Sequence, residues 1–334
     1  VPEFVSILIP THNRRDLLLR ALESLRHIII PPDTTVELLI IANGCSDDTV
    51  ASVSQIAPTM PFQTRCVIEP NLSLTHARNR AMAEAASDIF AFLDDDVWVE
   101  KNWLVGILDV FHSRPADIVA GPVELWWEAV ERPAWLSKRS ANLLSCVYHG
   151  EKIMELKKPG LALGANFAVR RTVYQSIGNF ANLGRRGNEI IGGEETEFIA
   201  RALAAGHRMF YAPDATIKHW VAPKRITLQY LSAAAYGNGL ARSFIPFNPA
   251  RRSVTFYVTE NAYRVAVYTY LEFCARFWHL RGAAIDYRIR RMTSYGVIVG
   301  AFRRYRGLPA DASIPLTSLA SQVAPVSRPE PSLP

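Results

Sequence analysis

The apolar run Ile89-Phe90-Ala91-Phe92-Leu93 ends in Asp94-Asp95-Asp96, and a buried strand that finishes in three adjacent carboxylates needs something to compensate them. The run has the length and composition of a central parallel strand, and the carboxyl edge of such a sheet is where open α/β folds place their ligands. Hard oxygen ligands suit Mg2+ or Mn2+, which also bridge carboxylates to phosphates. The plainer alternative is an acidic cap on a helix over Trp98 to Phe111, but a cap needs one Asp.

The surrounding pattern repeats strand and helix. Val5-Ser6-Ile7-Leu8-Ile9-Pro10-Thr11 is a short strand, and from Arg14 the spacing of Leu17, Leu18, Ala21, Leu22 and Leu25 is helical. Glu37 to Ala42 is a second strand, Asn43-Gly44 turns, and Ser46-Asp47-Asp48 suits the cap of a helix from Thr49. A third strand is expected over Thr64 to Ile68, a helix over Thr75 to Ala86, and a later strand over Ile118 to Leu125. This alternation predicts a mostly parallel sheet covered on both faces.

These segments resemble the family 2 glycosyltransferases of the GT-A fold. The similar stretches, in the family's order, are Ser6 to Asn13, Asn43 to Thr49, Ala77-Arg78-Asn79 and Phe92 to Asp96. Gly164 to Arg171 is similar to the acceptor-side strand, and Gly192-Gly193-Glu194-Glu195-Thr196-Glu197-Phe198 to the catalytic-base motif. The resemblance covers residues 4 to about 223 and implies a GT-A catalytic domain over 1–223, of the Rossmann-like, nucleotide-diphospho-sugar transferase type.

It further implies an inverting, Mn2+- or Mg2+-dependent transfer of one sugar from a nucleotide-sugar donor to a glycan or lipid-linked acceptor. The Gln-x-x-Arg-Trp motif of processive members is absent. Pro10, Thr11, Asn13, Arg14, Asn43, Asp47, Arg78, Asp94 and Asp95 are expected at the donor, Asp94 near the ribose, and Asp96 with His219 at the metal. Glu195 is expected as the base that takes the acceptor hydroxyl's proton, with Glu194 as fallback. Trp126, Trp127 and Asn166 are expected on the acceptor side.

Two positions depart from the family. Ala42 stands where many members have an Asp that contacts the base, which puts uracil in doubt and leaves thymidine or guanosine donors open. Glu195 stands where Asp is usual, so its backbone must sit further back. Several site residues also have a structural reading. Asn13 and Asp47 suit helix caps, Arg78 an ion pair or a brace for the acidic loop, and Glu194, Glu195 and Glu197 the first turn of a helix over Thr196 to Ala204. His219 and the tryptophans, Trp135 included, suit a core. A nucleotidyltransferase and a catalytically silent glycan-binding homologue are the rival readings.

Charge is unevenly distributed. Residues 1–223 carry 22 Lys and Arg against 26 Asp and Glu, while 224–310 carry 14 against 3. This second region interleaves arginines with Tyr263, Tyr268, Tyr270 and Tyr287 and is expected to be a helical extension. No uncharged apolar run reaches the roughly 20 residues that span a bilayer. Such helices suit an anionic membrane surface, or packing against the catalytic domain or a second copy in a homodimer. No nucleic-acid motif accompanies them, so nucleic acid is not an expected partner. Four scattered cysteines and no signal-like leader suggest a cytoplasmic protein, peripheral at most at the inner membrane face. Residues 311–334, rich in Pro and Ser, read as a disordered tail.

Overall fold

The computed structural model describes residues 3–183, 192–245 and 254–308. The expected tail lies outside them. In chain order the elements are β1 (Glu3–Thr11), α1 (Arg15–Leu25), β2 (Thr34–Asn43), α2 (Thr49–Ile56), β3 (Gln63–Glu69), α3 (Leu74–Glu84), β4 (Ile89–Leu93) and β5 (Val97–Val99). Then follow α4 (Trp103–Ser113), β6 (Ile118–Ala120), β7 (Val123–Trp126), α5 (Lys138–Asn142), β8 (Met154–Leu156), β9 (Asn166–Arg170), α6 (Arg171–Ile177) and α7 (Glu194–Ala204). The last are β10 (Met209–Tyr211), β11 (Ile217–Trp220), α8 (Leu228–Arg242), α9 (Val254–Phe277) and α10 (Arg281–Tyr305).

Eight strands form one sheet in the order β3-β2-β1-β4-β9-β6-β10-β8. β3, β2, β1 and β4 run parallel, and β9 enters antiparallel between β4 and β6. The sheet is therefore mixed beyond β4. Every residue of β4 is buried, as its unbroken apolar run requires, because helices cover both faces. Ile7, Ile9, Leu38 and Ile40 pack with α1 and α4 on one face, and Leu8, Leu39, Phe90 and Phe92 with α3 and α7 on the other.

Two expectations change. The apolar spacing after the triplet predicts a helix from Trp98, but Val97–Val99 form β5, which pairs with β11, and α4 starts at Trp103. The stretch Ile118 to Leu125 is two strands in different sheets, parted at Gly121-Pro122. The second sheet, β5-β11-β7, carries the chain across the carboxyl edge of the first. Alternation alone does not reveal a strand that changes partner sheet.

The C-terminal helices pack on the rest of the protein. Leu231, Ala235 and Leu240 of α8 and Ile285, Ile289 and Met292 of α10 share a core with Leu136, Ala141 and Leu144. Glycines set how close α8 and α10 come. A Cβ at Gly239 would lie 2.0 Å from the Thr293 carbonyl oxygen, and one at Gly296 would lie 2.1 Å from that of Tyr236. At these crossings only hydrogen fits.

Candidate active site

β1, β2 and β4 end at the same edge, and their first loop residues line a cavity of about 830 Å³. Pro10, Thr11, Arg14, Asn43, Arg78, Asp94, Asp95, Glu194, Glu195 and His219 all line it, although α7 and β11 join the chain more than a hundred residues after β1. His12 lines it as well, its Nδ1 2.7 Å from the Asn43 carbonyl.

The acidic triplet sits in a lattice of cations. Asp95 accepts from Thr11 Oγ1 at 2.8 Å and from Arg14 Nη1 at 3.0 Å. Burial pushes its carboxyl up to about 6; Arg14 pulls against that shift, whereas Asp96 adds to it. The same carboxylates hold the Arg14 guanidinium well above its usual value. Asp96 Oδ2 accepts from Arg14 at 3.1 Å and from Arg225 Nη2 at 3.3 Å, while Oδ1 faces His219 Nε2 at 3.2 Å. His219 is buried on β11, and its Nε2 is 3.9 Å from Asp94. One ligand atom each from Asp94, Asp96 and His219 lie within 4.8 Å of one another. Two carboxylates and an imidazole, buried or half-buried, form a donor set that fits a divalent cation.

Arg78 is almost completely buried and ties the two acidic clusters together. Its Nη1 meets Glu194 Oε1 at 2.7 Å, and its Nη2 donates to the Gly164 carbonyl at 3.0 Å and lies 3.6 Å from Asp94 Oδ1. Gly164 is required there, since a Cβ would lie 2.6 Å from the guanidinium. Glu194 is thus buried in an ion pair, whereas Glu195 is half-buried and accepts only weakly from Thr196 Oγ1 at 3.3 Å. Burial pushes the Glu195 carboxyl up to about 7, the negative Glu194 adds to this, and Arg78 opposes it. Helix α7 begins at Glu194, two residues earlier than its spacing suggests.

The glycine pair before α7 lines the cavity, and Gly193 also sets the turn into the helix. Gly193 has φ +111°, and a Cβ there would lie 3.0 Å from Ala241 Cβ of α8. The turn is left-handed and α8 closes over it.

Six expected residues lie outside the cavity lining, and one of them, Asp96, is buried directly behind it against His219, Arg14 and Arg225. Asn13, at φ 51°, accepts from the Ser46 amide at 2.8 Å, and Asp47 accepts from Thr49 N and Oγ1 at 3.2 and 2.6 Å. Asn13 thus splices the loop after β1 to that after β2, and Asp47 braces the start of α2. Asn166 is fully buried: it takes the Trp103 indole N–H at 2.8 Å and donates to the Pro122 and Ala215 carbonyls at 2.9 and 2.8 Å. Its donors and acceptor are used in joining the two sheets, which leaves nothing to offer an acceptor sugar. Trp126 lies under Arg20, 4.2 Å from the ring, and meets Trp98 edge-on. Trp127 and Trp135 pack on the core between α5, α8 and α10.

Sequence reasoning missed Arg225. It lies in the turn Pro223–Ile226, beyond the resemblance, where a Lys-Arg pair after a proline carries no local signal of a distant buried carboxylate. It also missed the direction of several C-terminal arginines, since Arg242, Arg264 and Arg290 line the cavity.

The sequence model described as Glycosyl transferase family 2 matches residues 6–178, just over half of the chain. The chain belongs to glycosyltransferase family 2. It is 26% identical over 228 residues to the succinoglycan biosynthesis protein ExoM of Rhizobium meliloti, covering 68% of this chain and 70% of that one. It is 22% identical to a glucosyl-dolichyl phosphate glucuronosyltransferase of Haloferax volcanii, covering 66% and 70% of the two chains. The fold superposes with a TM-score of 0.54 on the mannosyltransferase PcManGT of Pyrobaculum calidifontis, solved with GDP-Man and Mn2+, over 95% of this chain and 78% of that one at 16% identity. The mixed sheet with its carboxyl-edge site is the GT-A fold, and in this family 2 glycosyltransferase helices α8 to α10 follow it.

Proposed function

We propose that the chain moves one sugar, with inversion, from a nucleoside-diphosphate sugar to a hydroxyl of a glycan or lipid-linked acceptor. The catalytic domain would extend to about residue 223, with helices α8, α9 and α10 of the 224–310 region lining one wall of its cavity. The observation that carries the reading is one cavity lined by Asp94, Asp95 and His219, with Asp96 buried against His219 behind them, and by Glu195, whose neighbour Glu194 is braced to Asp94 through Arg78.

Asp96 and His219, with Asp94 beside them, are the residues suited to hold Mn2+ or Mg2+, and the imidazole favours Mn2+. When bound, the cation supplies Lewis-acid stabilisation to the departing nucleoside diphosphate. Thr11, Arg14, Asn43 and Asp94 are the donor contacts, while Asn13 and Asp47 support their loops. Glu195 takes the proton of the acceptor hydroxyl as its oxygen bonds to the anomeric carbon, and the electron pair of the breaking bond leaves with the phosphate. The burial that raises its proton affinity suits it to that task near neutral pH. A screen of nucleotide sugars tests this: Mn2+-dependent release of nucleoside diphosphate is expected from at least one. Cleavage of a nucleoside triphosphate instead would replace the reading with nucleotidyl transfer.

The reading includes reversible contact with an anionic membrane surface at the inner face of a cell membrane. Among the described residues no helix is long and apolar enough to cross a membrane. One face of α9 presents Tyr263, Tyr270, Phe273 and Phe277 to solvent, each more than 65% exposed, and Trp278 follows at 71%. Positions 263, 270 and 277 repeat every seven residues, so the aromatics form a stripe, with Arg276 and Arg281 beside it. Co-sedimentation with anionic vesicles that weakens in high salt is expected; equal indifference to anionic and neutral vesicles would remove the membrane from the reading.

A further inference from the structure

We infer that the acceptor carries a phosphate or diphosphate ester, received by Arg242, Arg264 and Arg290. The inference rests on the reading of Glu195 as the base.

The cavity has two chemically different walls. On the catalytic side, Arg14, Arg78 and Arg225 are bound to the carboxylates of the acidic loop and α7. The opposite wall comes from α8, α9 and α10 and offers Arg242, Arg264 and Arg290 with Tyr257, Asn261 and Tyr268. Among the described lining residues beyond Arg225 there is no Asp or Glu. Such a wall carries positive charge that the cavity itself does not neutralise.

Packing does not account for these arginines. Where the helices need arginine for structure they supply a carboxylate: buried Glu272 receives Arg276 at 2.7 Å, Arg291 at 3.0 Å and Arg288 at 4.0 Å. Arg290, between two of those, points instead to the cavity. It lies 5.6 Å from the Tyr268 ring, and its buried Nε has no hydrogen-bond partner among the described residues. With no carboxylate partner for Arg290 among the described residues, an anion entering the cavity would meet an uncompensated guanidinium charge. Arg264 is paired with the neighbouring Glu260 at 2.8 Å, so Arg242 and Arg290 are the lining arginines of this wall that have no carboxylate partner among the described residues.

The position of this wall favours the acceptor over the donor. The donor diphosphate has its own place at the acidic loop with Arg14 and Arg225. Arg242 directly follows Ala241, whose Cβ packs at Gly193, the residue before the Glu194-Glu195 pair. Arg242, Arg290 and Glu195 line the same cavity, and α8 meets the start of α7 there, so an anion held by this wall shares the space in which the base acts. Guanidinium forks match phosphate oxygens in pairs, and the tyrosine hydroxyls add neutral donors. Two sources share this chemistry, a lipid-linked diphosphate and a soluble sugar phosphate.

Calorimetric titration of the full chain, with Mn2+ and nucleoside diphosphate in excess to fill the donor site, tests the inference. The probes are farnesyl diphosphate and glucose 1-phosphate, with farnesol and glucose as neutral counterparts. At least one phosphate probe is expected to bind about tenfold or more tighter than its counterpart, and Arg290→Gln and Arg242→Gln each to weaken it by about tenfold. Arg242 is exposed, so its variant is expected to fold even if Arg290→Gln does not. Preference for farnesyl diphosphate identifies the lipid source, and preference for glucose 1-phosphate the soluble one. Phosphate probes that bind no better than their counterparts, or as well to both variants as to the wild type, would overturn it. The titration needs no turnover, so a failed nucleotide-sugar screen leaves its result readable and the two readings fail separately.

Discussion

Asp96→Asn is expected to lower sugar transfer by on the order of 10³-fold and to abolish Mn2+-dependent binding of nucleoside diphosphate, since charge stabilisation by a bound cation contributes several kcal/mol. The substitution keeps the shape of a side chain that is buried between Arg14, Arg225 and His219. Removing its charge leaves the Arg225 guanidinium, itself nearly inaccessible, without its carboxylate, so a fall in melting temperature is expected as well. The two effects separate by measurement. Metal-dependent nucleotide affinity read at a temperature where the variant is folded isolates the site from the fold. A folded variant with wild-type metal-dependent turnover would remove Asp96 from the metal.

Glu195→Gln is expected to preserve donor affinity while transfer falls by about 10²-fold or more, the scale of losing a general base. The pH profile gives a second readout. A carboxyl whose proton affinity is raised to about 7 is in its basic form above that pH. The wild-type rate should therefore fall about tenfold per unit as pH drops below about 7, and the variant should lack this acid limb. Glu194→Gln serves as the contrast. Its carboxylate is the buried partner of Arg78, so its loss should loosen the brace between the acidic loop and α7. If Glu194→Gln alone showed the base phenotype, the two glutamates would exchange roles.

Much of the fold was legible because its signals are short-range. The buried runs of β1, β2 and β4, the Asn43-Gly44 turn and the apolar spacing of α1 each lie within a dozen residues, and each became the expected element. The breaks at Trp98 and at Gly121-Pro122 were not legible. They arise where a strand leaves one sheet for another, and hydrophobic alternation is the same in either. Arg225 was hidden for a related reason: a Lys-Arg pair after a proline reads as surface until a distant carboxylate is brought to it.

The same division holds in the site. The chain by itself determined which residue types are available, three carboxylates after a buried strand and two more after a glycine pair, because turn and strand chemistry place them at loop tips whatever surrounds them. Tertiary structure alone decided which charges meet. Arg78 reaches Glu194 across 116 positions, and Arg225 reaches Asp96 across 129. It also decided which polar residues are spent on scaffolding, as Asn166 is, and which arginines of α8, α9 and α10 face the cavity and which face solvent or Glu272. An arginine follows the same local rules in either place. Its partner is set by packing between elements far apart in the chain, and the Coulomb energy that gives the site its chemistry depends on that distance and on burial.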